Sequence, residues 1–348
     1  MLKSAAALVV FLALAPIAAR AQSSPVQNVS AGDSPILRVQ LRGAKLVTIR
    51  AWNRSDIGVQ STSALNVVHV EARTVARLLA RSQINVLATT VQTTAGPLTL
   101  PPETFVLSAL SAVPHEAVVV RGDARDGDVT IDIPNQTALV FANLGHGRML
   151  VQNYRNGNFV ARVHNGALQL DGVGGTGFAE VGKGIFFARA STFDRIRVRQ
   201  GAGKMLFEGC ASRQIEATSI AGDIAYDNGT FSPGLARFES TSGNVALGVA
   251  SGGVQIGAHS SSGRIFSNFD RGARVTQHAN DAQATVDGGG PVVTVNSGSG
   301  AVFLYDGSLR ARRSFGENWR PLQGWVRRRS GAPIRHMQAR PHPTGRTH

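Results

Sequence analysis

The sequence predicts an all-β chain wound as a single-chain β-solenoid (β-helix), and three observations predict it. A glycine recurs at intervals of 18–21 residues through the second half of the chain. An apolar side chain follows two positions after each glycine, and in most units another apolar residue stands two positions further on. A fixed period of about 20–50 residues marks stacked repeat units, each too small to bury its own apolar face.

The marks are Gly127, Gly147, Gly166, Gly184, Gly203, Gly222, Gly243, Gly263 and Gly300, with Ala282 standing where one glycine is missing. They predict about ten turns, with the solenoid spanning 119–309. The first apolar column is Val129, Met149, Leu168, Phe186, Met205, Ile224, Val245, Ile265, Ala284 and Val302. Ile131, Val151, Leu170, Ala188, Phe207, Tyr226, Leu247, Ser267, Val286 and Leu304 form the second. Apolar residues two apart describe a strand with one face inward. A further apolar patch near the middle of each unit includes Phe159, Phe193, Ile196, Val198, Val254, Ile256, Val275 and Val293. Stacked turns ~4.8 Å apart would make a rod about 45 Å long.

The ends read differently. Residues 1–21 carry Lys3, an apolar run from Ala5 to Ala15 and Ala19-Arg20-Ala21, the pattern of a Sec-type signal peptide. The expected location is therefore periplasmic, cell-surface or extracellular. No other stretch approaches ~20 apolar residues, so no transmembrane segment is expected. Residues 22–35 read as a flexible N-terminus. Within 36–118, Leu37–Leu41, Leu46–Ile49 and Val67–Val70 read as strands, and Ala72–Arg81 as a short helix. The prolines at 97, 101, 102 and 114 belong to an insertion capping the first open edge.

Net charge is +14, and it is uneven. Residues 310–348 hold ten arginines against the single acid Glu317, whereas 22–309 is nearly neutral. That distribution argues against nucleic acid as a partner of the body. Arg310, Arg312, Arg313, Arg327, Arg328 and Arg329 are the candidate polyanion-binding residues, suited to an anionic envelope polymer or surface glycan. Alternatively Phe315, Trp319, Leu322, Trp325 and Val326 pack as a cap within 310–330, leaving 331–348 a disordered basic tail.

The strand, the turn at Gly43, the strand Leu46–Ile49 and Ala51-Trp52-Asn53-Arg54-Ser55-Asp56 resemble the opening of bacterial adhesin-like β-solenoid domains of unassigned function. So do Ser240-Thr241-Ser242-Gly243-Asn244-Val245, Ser260-Ser261-Ser262-Gly263-Arg264-Ile265 and Asn296-Ser297-Gly298-Ser299-Gly300-Ala301-Val302. The resemblance spans 36–60 and 120–305. It implies an exported, adhesin-like, non-enzymatic structural or binding protein and supplies no catalytic residues.

The motifs that suggest chemistry have plainer readings. Gly172–Gly177 imitates a dinucleotide fingerprint, and Gly177 to Gly184 a phosphate-binding loop, but a strand-like segment follows where a helix N-terminus is required. No cofactor or metal is expected, and the nine histidines show no ligand spacing. Cys210, the single cysteine, reads as a buried small hydrophobe. Arg121-Gly122-Asp123 spells an integrin-binding tripeptide just ahead of the first repeat. Five positions after each mark stand Asp132, Gln152, Asp171, Arg189, Glu208, Asp227, Gly248, Asn268, Asp287 and Tyr305, whose acids read as turn residues. If the turns stack, Asp171, Arg189 and Glu208 stand side by side. The alternative is a polysaccharide lyase or hydrolase, which needs such acids to converge in a groove.

Overall fold

The computed structural model describes residues 26–307 except 31, 74–88, 94–95, 101–103, 108–114, 156, 251 and 270–271. The chain is all-β. Its strands run β1 (Gln27–Ser30), β2 (Ile36–Trp52), β3 (Asp56–Ser61), β4 (Leu65–Arg73), β5 (Thr89–Thr93) and β6 (Gly96–Leu100). The one-turn helix α1 (Thr104–Leu107) precedes β7 (His115–Pro134), β8 (Leu139–Gln152), β9 (Asn158–Asp171), β10 (Gly174–Arg189), β11 (Thr192–Glu208) and β12 (Ala211–Phe231). Shorter strands follow: β13 (Ala236–Ser240), β14 (Val245–Val249), β15 (Val254–Ser260), β16 (Ile265–Asn268), β17 (Ala273–His278), β18 (Asp281–Val286), β19 (Val292–Ser297) and β20 (Val302–Tyr305). All but the separate β5–β6 hairpin join one sheet.

Each long strand has two arms meeting at its glycine. In β8 the residues that join the main core are Val140, Ala142 and Leu144 before Gly147, then Met149 and Val151 after it, so the alternation changes parity at the corner. Both arms nevertheless face one core. β8, β9, β10, β11 and β12 pair in parallel, glycine beside glycine: Gly147 with Gly166, Gly184, Gly203 and Gly222 in turn. A Cβ at Gly166, Gly184, Gly203 or Gly222 would collide with the carbonyl oxygen of the preceding glycine, far inside 3.0 Å. The period in the sequence is this exclusion repeated.

Ser240, Ser297 and Ser260, each three residues before a glycine, bridge adjacent rungs through their hydroxyls, whereas Ser219 before Gly222 makes no such bond. Ser240 Oγ donates to the Gly222 carbonyl at 2.8 Å, Ser297 Oγ to Gly243 at 2.9 Å and Ser260 Oγ to Gly300 at 2.9 Å. This explains the Ser-x-x-Gly phrases physically. It also gives the stacking order Gly222, Gly243, Gly300, Gly263, which is not chain order.

That order corrects the expectation of sequential turns. β19 and β20 lie between β13–β14 and β15–β16. At the other end β2 lies between β7 and β8, so Val47 and Ile49 occupy the inward columns between Val129–Ile131 and Met149–Val151. Ala282 is not a turn mark. It belongs to an antiparallel hairpin of β17 and β18, paired with Ala258 of β15 and Gln277 of β17. Val275, expected inside, is 38% exposed on β17. Gly43 sits within the continuous strand β2. Antiparallel strands shield both arms of the end rung at β7, through β3 and β4, and the β15 arm at the other end, through β18, which occupies backbone groups that would otherwise template another chain. Of the helix expected at Ala72–Arg81, Ala72 and Arg73 are in β4 and the rest lies outside the described residues.

A second corner follows the arm beyond the glycine. Asn153, Gly172, Ala190, Gly209 and Asn228 all take the left-handed conformation, with φ of 57°, 63°, 47°, 58° and 52°. The amides of the first four bond the next rung, as Gly172 N to Arg189 O at 3.0 Å and Ala190 N to Glu208 O at 3.0 Å. Ala190 has no side-chain compensation for a conformation costing an L-residue roughly 1–2 kcal/mol. Ala190→Gly should therefore raise unfolding stability by about 0.5–1 kcal/mol after glycine's own entropy is counted. A denaturant midpoint that falls instead would show that this corner carries no strain.

Candidate binding face

The charged column predicted from the sequence exists, extended by β2. Asp132 and Arg50 form an ion pair, and Arg189 Nη2 donates to Asp171 Oδ2 at 2.5 Å. Glu208 stands beside Arg189 in register, so Asp171, Arg189 and Glu208 do share one row. Hydrogen bonding to the carboxylates raises the pKa of both Arg50 and Arg189. Asp171 and Glu208 end their strands ahead of left-handed corners, as turn residues should. Asp227 differs: it is buried within β12 and accepts the Tyr305 hydroxyl at 2.9 Å. These acids are spread along the stack and tied to neighbours.

The other motifs fall into strands. Gly174–Gly184 lies in β10, whose backbone continues as a strand through Arg189, so the phosphate-loop imitations have no helix to work with. Arg121-Gly122-Asp123 lies within β7, and Asp123 pairs with Arg125 at 3.0 Å. Cys210 is buried, its thiol pushed up to about 11 by desolvation, with Sγ 3.6 Å from the Glu208 carbonyl. Among the described residues no three His, Cys, Asp or Glu side chains gather to hold a metal. The tail arginines 310, 312, 313, 327, 328 and 329 lie outside the described residues.

The row missed in the sequence stands four residues before the glycine in eight rungs and is extended by Gln40 and Arg121. Arg121, Gln40, Asn143, Arg162, Glu180, Arg199, Thr218, Glu239, Asn296 and His259 are consecutive partners across ten strands. Every one is polar, and counting back from Gly147 to Gly300 would have revealed eight of them. The arm alternates, so this row points away from the core formed by Ala142, Ala161, Ala179 and Val198. Its members are held in place: Arg162 Nε donates to Glu180 Oε2 at 3.3 Å, Asn296 Nδ2 to Glu239 Oε1 at 3.0 Å, and His259 Nδ1 lies 2.8 Å from Asp281 Oδ1.

Two and four positions nearer the strand start, the same face is largely apolar at its N-terminal end, with Arg38 among the exceptions. Ile36, Ala117, Leu139, Phe141, Val160 and Phe178 pack with Val106 of α1. Phe105 lies under the guanidinium groups of Arg195 and Arg197, at 4.4 and 5.2 Å. The short helix thus covers the apolar part and leaves the polar row beside it. Beyond the helix, Arg197 is bonded to Glu216 at 2.9 and 3.0 Å.

No helix among the described residues is long and apolar enough to cross a membrane. No family model matches the chain, and no curated protein resembles it in sequence. A crystal structure from Clostridium sporogenes, described as a "putative cell adhesion protein", is similar at 11% identity over 81% of this chain and 97% of that one. Its TM-score is 0.25, a likeness too slight to define fold or function.

Proposed function

We propose that the parallel ladder winds as a β-solenoid and that the protein is an exported, adhesin-like, non-enzymatic binding element of the cell envelope or its exterior. The single observation behind this reading is the outward polar row from Arg121 to His259, whose members Arg199, Thr218, Glu239, Asn296 and His259 stand partly or fully exposed on five successive paired strands. The rows repeat every ~4.8 Å, a spacing on which an extended polymer can make many weak contacts at once. Such contacts multiply avidity without any one tight site. The glycine-on-glycine register and the two-armed core support the solenoid reading, and the dispersed, engaged acids favour binding over hydrolysis. An anionic envelope polymer or glycan is the partner suited to the arginines of the row.

The test is a length series of an acidic polysaccharide measured against the soluble protein at two salt concentrations. Affinity per chain should rise steeply with polymer length, and Arg199→Glu should lower retention about tenfold or more at low salt. Retention that ignores polymer length, or is unchanged in that variant, would refute the face. Deleting 310–348 separates any share contributed by the arginine tail.

A further inference from the structure

One end of the polar row opens on a cavity of about 790 Å³ over β7, β2, β8, β9 and β10. Small-molecule sites commonly enclose about 300–1,000 Å³. Among its lining residues, Asn143 is only 6% exposed, and neither Oδ1 nor Nδ2 has a hydrogen-bond partner. A buried amide left unsatisfied costs about 1–3 kcal/mol, so its retention at this place calls for a ligand.

The charge around it indicates which ligand. Each lining carboxylate has its own arginine: Glu180 pairs with Arg162 at 3.3 Å, and Asp123 with Arg125, outside the cavity, at 3.0 Å. Arg42 and Arg121, both exposed at the mouth, have no ion-pair partner among the described residues. Arg121 also adds its field to that of buried Arg38, whose pKa is lowered first by desolvation and then by Arg121. This is a place where an added negative charge relieves repulsion. The Asn143 amide offers a donor and an acceptor together, as a hydroxyl-bearing ligand requires, and Gln40 beside it adds a second amide.

We infer that this cavity binds one small hydroxylated carboxylate, the size of a single sugar-acid residue, with Asn143 reading a hydroxyl pair and Arg42 and Arg121 holding the carboxylate. The site is discrete and does not depend on the multivalent reading, since it requires one ligand per chain rather than a polymer.

Titration calorimetry of the soluble chain with D-glucuronate tests it. Saturable one-to-one binding is expected, at least about tenfold tighter than for D-glucose or inorganic phosphate. Asn143→Leu should lose about tenfold or more in affinity while its melting temperature holds or rises by about 2–4 °C, because a buried unpaired amide has been removed. Arg121→Ala, at an exposed position, should weaken glucuronate alone and leave melting unchanged. Absence of saturation up to about 10 mM glucuronate would overturn the site. So would equal binding of phosphate, unchanged affinity in both variants, or a lower melting temperature for Asn143→Leu, which would make that amide structural. The polymer-length series fails independently of these outcomes.

Discussion

Gly184→Ala should leave little or no folded protein. Gly184 has φ +139°, and a Cβ there would run into the carbonyl oxygen and carbon of Gly166, both backbone atoms held by the parallel ladder. No rotamer relieves a backbone collision, and moving the strand would disturb Gly203, which abuts the Gly184 carbonyl in the same way. The cost should exceed about 4 kcal/mol, in the exceptional range for one substitution and a large share of a total stability of ~5–15 kcal/mol. Gly209→Ala is the matched control, since φ is +58° there but nothing lies within 4 Å of the added atom. It should cost only about 1–2 kcal/mol, the intrinsic penalty of the left-handed conformation. Circular dichroism melts of the two variants separate collision from conformation. Equal losses would mean that glycine is required at this corner only for its dihedral angles.

That comparison also explains what the sequence disclosed. The glycine period was legible because the backbone of each rung forbids a Cβ on its neighbour, a constraint written once per unit. The inward columns were legible because Met149, Leu168, Phe186, Met205 and Ile224 are each followed two residues on by another apolar side chain, Val151, Leu170, Ala188, Phe207 and Tyr226. Stacking order was not, because an apolar column fits wherever it is placed. Val47 and Ile49 of β2 match the columns of their neighbours, yet the corner residue is Ala44, so no glycine advertised the rung. The error at Ala282 has a related cause. Ala282, Ala284 and Val286 alternate with period two, and that period is the same in a parallel rung and an antiparallel hairpin.

The polar row was hidden for another reason. Outward polar residues on strands are what solvation alone produces, so Asn143, Arg162 and Glu180 look unremarkable one by one. Their burial, at 6%, 8% and 5% exposure, arises from neighbours on other strands and cannot be read along the chain. The charged column after the glycine was found because its acids precede Gly172, Gly209 and Asn228, a local turn signal. Asp227 also precedes such a corner, but its hydrogen bond was hidden, since its partner Tyr305 is 78 residues away and reaches it only because β20 stacks on β14.

Phe207→Ala should remove about 3–5 kcal/mol, the usual cost of emptying a fully buried aromatic position. Phe207 is 0% exposed, with ring centroids 5.2 Å from Phe186, 5.6 Å from Tyr226 and 6.5 Å from Phe238, so it ties together four successive rungs, β10 to β13. Tyr226 next to it is anchored by its hydroxyl to the carbonyls of Cys210 and Thr230, at 2.8 and 3.1 Å, and cannot swing into the void. Phe207→Leu keeps most of the volume and should cost less than about 1.5 kcal/mol. The location of the damage is as informative as its size. Where each unit touches only adjacent units, destabilisation stays near its source. Amide hydrogen exchange in Phe207→Ala should therefore accelerate in β10, β11 and β12 while β2, β7 and β8 keep their protection. Uniform acceleration along the chain would instead make the whole ladder one cooperative unit, in which case a mutation at either closed end should be felt at the polar row.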